Sequence, residues 1–143
     1  MNNILTLIGL AKKAGRIEAG EESVGAAAGA HHARLILLAE DAAENTARRA
    51  RHFAEAGACL LTAVPAAKTA LGGAVGRTEC AELAVTDIGF ADAIAKKLAA
   101  LDEARYGELS ARLSVKAQRA AERKRGQTRR DKTARTGAKQ PKT

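Results

Sequence analysis

The sequence predicts an α/β protein: one small domain built as a three-layer α/β/α sandwich, with a mixed or largely parallel sheet and a basic C-terminal tail. Three observations carry that expectation. Segments with helical spacing of apolar residues alternate with apolar runs of strand length, the pattern of helices laid on both faces of a sheet. The runs "LILLA", "CLLTAV" and "ELAV" are continuous rather than alternating, as in strands covered on both sides. The charge is also divided. Residues 1–104 hold 11 Lys and Arg against 13 Asp and Glu, a net −2; residues 105–143 hold 13 against 3, a net +10. The total of +8 therefore resides in the tail, and the inference from high pI to a basic surface applies there.

A first helix follows Asn2 or Asn3, either of which can cap it. Ile4, Leu7, Ile8, Ala11 and Ala14 recur at helical spacing and Gly15 is a natural stop. "RIEAG" reads as a short extended connector. A second helix starts after Gly20, with Glu21, Glu22 and Ser23 in its first turn; carboxylates there suit the positive end of the helix dipole. "ARLILLAED" is a central buried strand. In "AAENTARRARHFAEAG" a third helix turns Ala43, Ala47, Ala50, Phe53 and Ala54 inward. "ACLLTAV" is a second buried strand stopped by Pro65, "AAKTALGGAVG" a short helix, "CAELAVTD" a third strand, and "GFADAIAKKLAAL" the last helix of the body. From Arg105 the composition shifts. "YGELSARLSVKAQRAAERKRG" continues as a basic helix, whereas "QTRRDKTARTGAKQPKT" has nothing to bury and is expected to be disordered. The organisation expected is thus a body at 1–104 and a tail at 105–143.

Aromatics are 2% of the chain, so the core must be aliphatic. No apolar run nears the ~18 residues needed to span a membrane, and "ILTLIGLA" lacks the flanks of a secretory leader. A cytosolic protein without membrane attachment is expected. Cys59 and Cys80 sit in apolar runs without a CxxC and read as small core residues.

Patterns for chemistry are few. "LGGAVGRT" looks like a phosphate loop, but Leu71 stands where the first glycine belongs and Arg77 where the lysine belongs. "GEESVG" around Ser23 is not the GxSxG of a nucleophile elbow. The neighbours His31 and His32 cannot easily face one ion, and His52 stands apart, so no metal site is expected. Asp87 reads as a helix cap. No acid–base pair emerges, and neither an enzymatic reaction nor a cofactor is expected.

Four segments in order, "LIGLAKKAGRIEAGEESV", "ARLILLAEDAAENT", "LGGAVGR" and "LAVTDIGFA", resemble the bacterial, YlxQ-type branch of the kink-turn-binding ribosomal protein family, whose archaeal member is large-subunit protein seven-Ae. The resemblance spans residues 3–98. It implies the same sandwich and non-catalytic binding of structured RNA by a monomer, with ribosomal RNA and the ribosome as expected partners. It also implies that the start of the second helix enters the widened groove of a kinked RNA while a second loop covers the bend; a helix N-terminus attracts phosphate and RNA is read mostly by shape.

Carried over residue by residue, the RNA-reading positions fall on Gly20, Glu21, Glu22 and Ser23, and the covering loop on Gly76, Arg77, Thr78 and Glu79. Three cationic positions of the family are missing, replaced by Ala19, Ala26 and Gly73. The expectation is that Lys12, Lys13, Arg16 and the tail supply the lost phosphate attraction. The alternative is a protein–protein interaction module on the same fold, using the neutral face Ala26–Ala30, with the tail as an unspecific nucleic-acid tether. A ribose-methyltransferase role, implied by related sandwiches, would need a catalytic domain for which the chain is too short.

Overall fold

A computed structural model describes residues 1–139, with side chains of the last helix described as far as residue 127. In chain order the elements are α1 (Asn2–Lys13), β1 (Ile17–Ala19), α2 (Glu21–Gly29), β2 (Leu35–Leu38), α3 (Glu44–Gly57), β3 (Leu60–Ala63), α4 (Lys68–Val75), β4 (Glu82–Val85), α5 (Ile88–Leu101) and α6 (Glu103–Lys139). The sheet order is β1-β4-β2-β3. β2 and β3, joined through α3, are parallel, while β4 runs antiparallel to both β1 and β2. The sheet is therefore mixed.

Side chains on a strand alternate between faces, and here the two faces carry different cores. Leu35, Leu37, Leu83 and Val85 pack with Ile4 and Ile8 of α1, Leu71 and Val75 of α4, and Ile94 and Leu98 of α5. Ile36, Leu38 and Ala84 pack on the other side with Val24, Ala27 and Ala28 of α2 and Ala50 and Ala54 of α3. This is the expected α/β/α sandwich. The α2–α3 layer uses small residues because the helices approach closely. A Cβ on Gly57 would lie 2.6 Å from the Ala28 carbonyl oxygen, and one on Gly25 would lie 2.9 Å from the Phe53 ring. Within the Ala-rich stretch Ala27 and Ala28 are buried, whereas Ala26, Gly29 and Ala30 are exposed.

Several expectations need correction. Met1, not Asn2 or Asn3, is the N-cap of α1, and no side chain bonds there. "RIEAG" contains the edge strand β1, recruited because β4 offers it a pairing edge from Ile17↔Val85 to Ala19↔Leu83. β3 is also an edge strand and is half-buried along its length. The boundary at 104/105 falls within the core. Tyr106 is 1% exposed and Leu113 fully buried in the main cluster, and the Tyr106 hydroxyl donates to the Ala63 carbonyl at 3.0 Å. α6 thus reaches the end of the edge strand β3 at Ala63 and packs along α5. Helix α6 then continues through the segment expected to be disordered as far as Lys139. Ala, Arg, Lys and Gln are good helix formers, and a helix satisfies its own backbone without a core. Residues 140–143 lie outside the described part. Among the described residues no helix is long and apolar enough to cross a membrane.

Candidate nucleic-acid interface

Gly20 caps α2 with φ +93°, a conformation that side-chain-bearing residues avoid. The need for glycine is double. A Cβ there would lie 2.8 Å from Arg77 Nη1, because the Arg77 guanidinium crosses the β1–α2 junction and donates to the Ala19 carbonyl at 2.8 Å. Arg77 is delivered by the end of α4. Gly76 closes that helix at φ +76°, and the Arg77 amide bonds back to the Gly72 carbonyl at 2.8 Å. Two segments far apart in sequence therefore form one corner, with exposed Thr78 and Glu79 beside it. No side chain caps α2, so its first-turn N–H groups receive no side-chain hydrogen bond at the cap.

The carboxylates of this corner have different tasks. Glu22 is exposed. Glu21 is engaged by α3: Arg49 Nε pairs with its Oε1, and Arg49 Nη2 donates to its Oε2 at 3.2 Å. Glu21 is therefore a tether between helices rather than a free acceptor for a base. Beneath it lies a residue that the sequence reading passed over as part of a strand. Glu82 begins β4, its backbone carbonyl accepts from the Gly20 amide at 3.1 Å, and its side chain is 1% exposed. Neither carboxyl oxygen has a partner among the described residues. Burial, reinforced by the neighbouring Glu21 charge and opposed by Arg49, pushes its pKa up to about 7.

Ser23 turns to the other flank of α2. It lines a groove of about 540 Å³ with Arg16, Glu18, Ala26, His32 and Arg34. Arg16 is thus joined to Ser23 along one surface, whereas Lys12 and Lys13 are exposed at the end of α1 and do not line this groove. Arg16 and Gly20 flank opposite ends of β1, roughly 13 Å apart at ~3.3 Å per residue. Sequence-derived residues consequently fall into a corner (Gly20, Glu22, Arg77, Thr78) and a flank (Ser23, Arg16), with Lys12 and Lys13 beyond both. Asp87 caps α5 as expected, accepting from the Phe90 amide at 2.9 Å. Burial pushes the thiol pKa values of Cys59 and Cys80 up, the reverse of an activated nucleophile. Among the described residues no group of three or more His, Cys, Asp or Glu could hold a metal.

Arg34 was missed as a candidate, and His32 was weighed only as a metal ligand. A single cation before a strand carries no signal until the sheet order shows which end of the molecule it occupies.

No protein-family model and no curated protein matches the chain. The chain is similar to a solved structure from Bacillus halodurans C, described as a protein with unknown function. The two share 29% identity and a TM-score of 0.61, over 65% of this chain and 93% of that one. The likeness supports the fold as a single small α/β unit.

Proposed function

We propose that this protein binds structured RNA of the kink-turn kind, without catalysis, through the α2 N-terminus, the Arg77 loop and the flank running down to Arg16. One observation carries the reading: Gly20 and Arg77, from the two segments that the family resemblance singles out, are in direct contact beside an uncapped helix N-terminus. Open N–H groups and one guanidinium suit a phosphate at a bend. The atoms nearest the open face of Gly20 all belong to Arg77, so an RNA backbone can approach if that side chain swings aside. The exposed Glu22 carboxylate can accept from a base amino group, which a phosphate cannot offer, so it favours bases over backbone at that point.

The body carries few cations near the corner, so discrimination by shape is expected to exceed raw affinity there. The test compares full-length protein with a kink-turn RNA and an unkinked control of equal length. Preference for the kinked RNA that drops at least tenfold in Arg77→Ala supports the reading. Equal binding of both RNAs by the unaltered protein refutes it.

A further inference from the structure

We propose that the end of the sandwich opposite Gly20 holds a second RNA site, a groove that takes backbone phosphates irrespective of sequence or kink. The groove is about 420 Å³ and is walled by the α2–β2 turn, the end of α3 and the middle of α6. Its cations are Arg34, Lys116, Arg119 and Arg123, joined by His31, and no carboxylate lines it. Its apolar lining is mostly small, with Ala33, Gly57, Ala58 and Ala120, together with Cys59 and Ile88. None of the four cations is in an ion pair among the described residues, where the pairs are Arg49–Glu21 and Lys96–Asp92.

The arrangement follows from two elements. Lys116, Arg119 and Arg123 stand at i, i+3 and i+7 of α6, so they form one stripe about 10 Å long. Ala120, at i+4, keeps the centre of that stripe open. Packing of Tyr106 against Ala63 and of Lys116 beside Cys59 aligns α6 along β3, which brings the stripe over the start of β2, where Arg34 waits. His31 Nδ1 lies 3.3 Å from the Gly57 carbonyl oxygen, which directs the opposite edge of the ring away from α3. His31 and Ala58 are the two non-glycine residues with positive φ among those described, and both line this groove.

Cations at this end also offset the C-terminal dipoles of α2 and α3. Half a charge per helix does not account for four, and α6 passes this point in mid-helix. A concave wall of one sign focuses its field on an anion, and guanidinium forks match phosphate oxygens. RNA is favoured over a lipid surface because the stripe has Ala, not large apolar side chains, between its cations; a bilayer-docking helix needs the latter. Arg34 also lines the Ser23–Arg16 groove, so one strand of RNA lying on α2 reaches both. This continuity gives the tail a place to act and extends the RNA reading above to a second site.

The test uses full-length protein and an unkinked RNA duplex, with the affinity followed across salt concentration. The triple variant Lys116→Ala, Arg119→Ala, Arg123→Ala keeps helix propensity and is expected to reduce the log–log salt slope by about 2 to 3. Arg34→Ala, on another element, is expected to reduce it by about 1. A control, Arg51→Ala with Lys97→Ala, removes exposed cations elsewhere and is expected to leave the slope nearly unchanged. Equal slope loss per charge in the control and the groove variants overturns the proposal, since net charge alone then explains binding. A polyglutamate of matched charge that competes as well as the duplex, and loses affinity equally in the triple variant, assigns the groove to an acidic protein and overturns RNA as its occupant. Kink preference, read in parallel with the kinked RNA, is unaffected by the triple α6 variant if both proposals hold, whereas Arg34, shared with the Ser23–Arg16 groove, is left out of that comparison. Absence of kink preference from the unaltered protein counts against the Gly20 corner alone.

Discussion

The two ends of α2 are built on opposite plans. At the N-terminal end charge is balanced: Arg49 holds Glu21, Arg77 is tied to a backbone carbonyl, and Glu82 is buried without a partner. At the C-terminal end Arg34 and three α6 cations crowd one groove with no carboxylate in its lining. The helix dipole would by itself favour an anion at the first end and disfavour one at the second. The protein thus places geometry where the dipole helps and bulk charge where it must overcome the dipole. On the two proposals above, shape selection and electrostatic attraction, commonly merged in one surface, would be separated along a helix of nine residues.

The strongest way to break this comparison is to remove residues 105–143. If α6 were only a charged appendage the body would survive. Because Tyr106 and Leu113 belong to the main core, the loss is expected to cost on the order of 5 kcal/mol or more and to abolish cooperative urea unfolding. Removal from residue 127 onward leaves that packing in place and is expected to alter the salt dependence of RNA binding without shifting the unfolding midpoint appreciably.

Glu82→Leu addresses the balanced end. In the folded protein this carboxyl keeps its proton up to about pH 7, whereas the unfolded chain releases it above the ordinary value of 4.5. Between those pH values the unfolded state binds fewer protons, so stability falls as pH rises. Leucine, surrounded by Leu38 and its neighbours, is expected to raise stability at pH 8 by up to about 3 kcal/mol and to flatten the profile between pH 4.5 and 7. An unchanged profile in urea melts would show that Glu82 has found a partner.

Gly20→Ala sharpens the corner. The methyl group meets Arg77 and the residue must hold φ +93°, so a loss of about 1–2 kcal/mol is expected. Adding Arg77→Ala should recover the steric part but not the backbone part, which a double-mutant cycle resolves. The smallest effect is expected for Arg49→Ala. Its ion pair is about half exposed and contributes less than about 1 kcal/mol to thermal or urea stability. The same change removes a positive neighbour from Glu82 and should move its titration further upward, visible by carboxyl NMR.

Much of the architecture was legible locally. Gly15 and Gly20 bracket β1 because a helix stop and a positive-φ cap leave their mark in single residues. The run "LILL" announced a strand buried on both faces, and all four residues are buried. Other features were not legible. β1 is too short to show a period, and its strand character exists only in pairing with β4. The half-burial of β3 depends on its being an edge, which the apolar run "LLTA" does not encode. Tyr106 and Leu113 sit in a basic segment, where composition masks two apolar side chains that find the core from a distance. The corner was identified from motif order, whereas the groove was invisible: Lys116, Arg119 and Arg123 show one helical face, but nothing local pairs that face with Arg34.

The sequence by itself determined the helices and inner strands of the body and most of the aliphatic residues buried between them, because apolar periodicity and glycine conformation act within a few residues. Only the tertiary structure decided what meets what. Gly20 touches Arg77, Glu82 is sealed under Glu21, and α6 draws its charge to the end opposite the corner. Those pairings follow from strand order and from the docking of α6 on β3, and both are set by the sum of many weak contacts between residues distant in the chain.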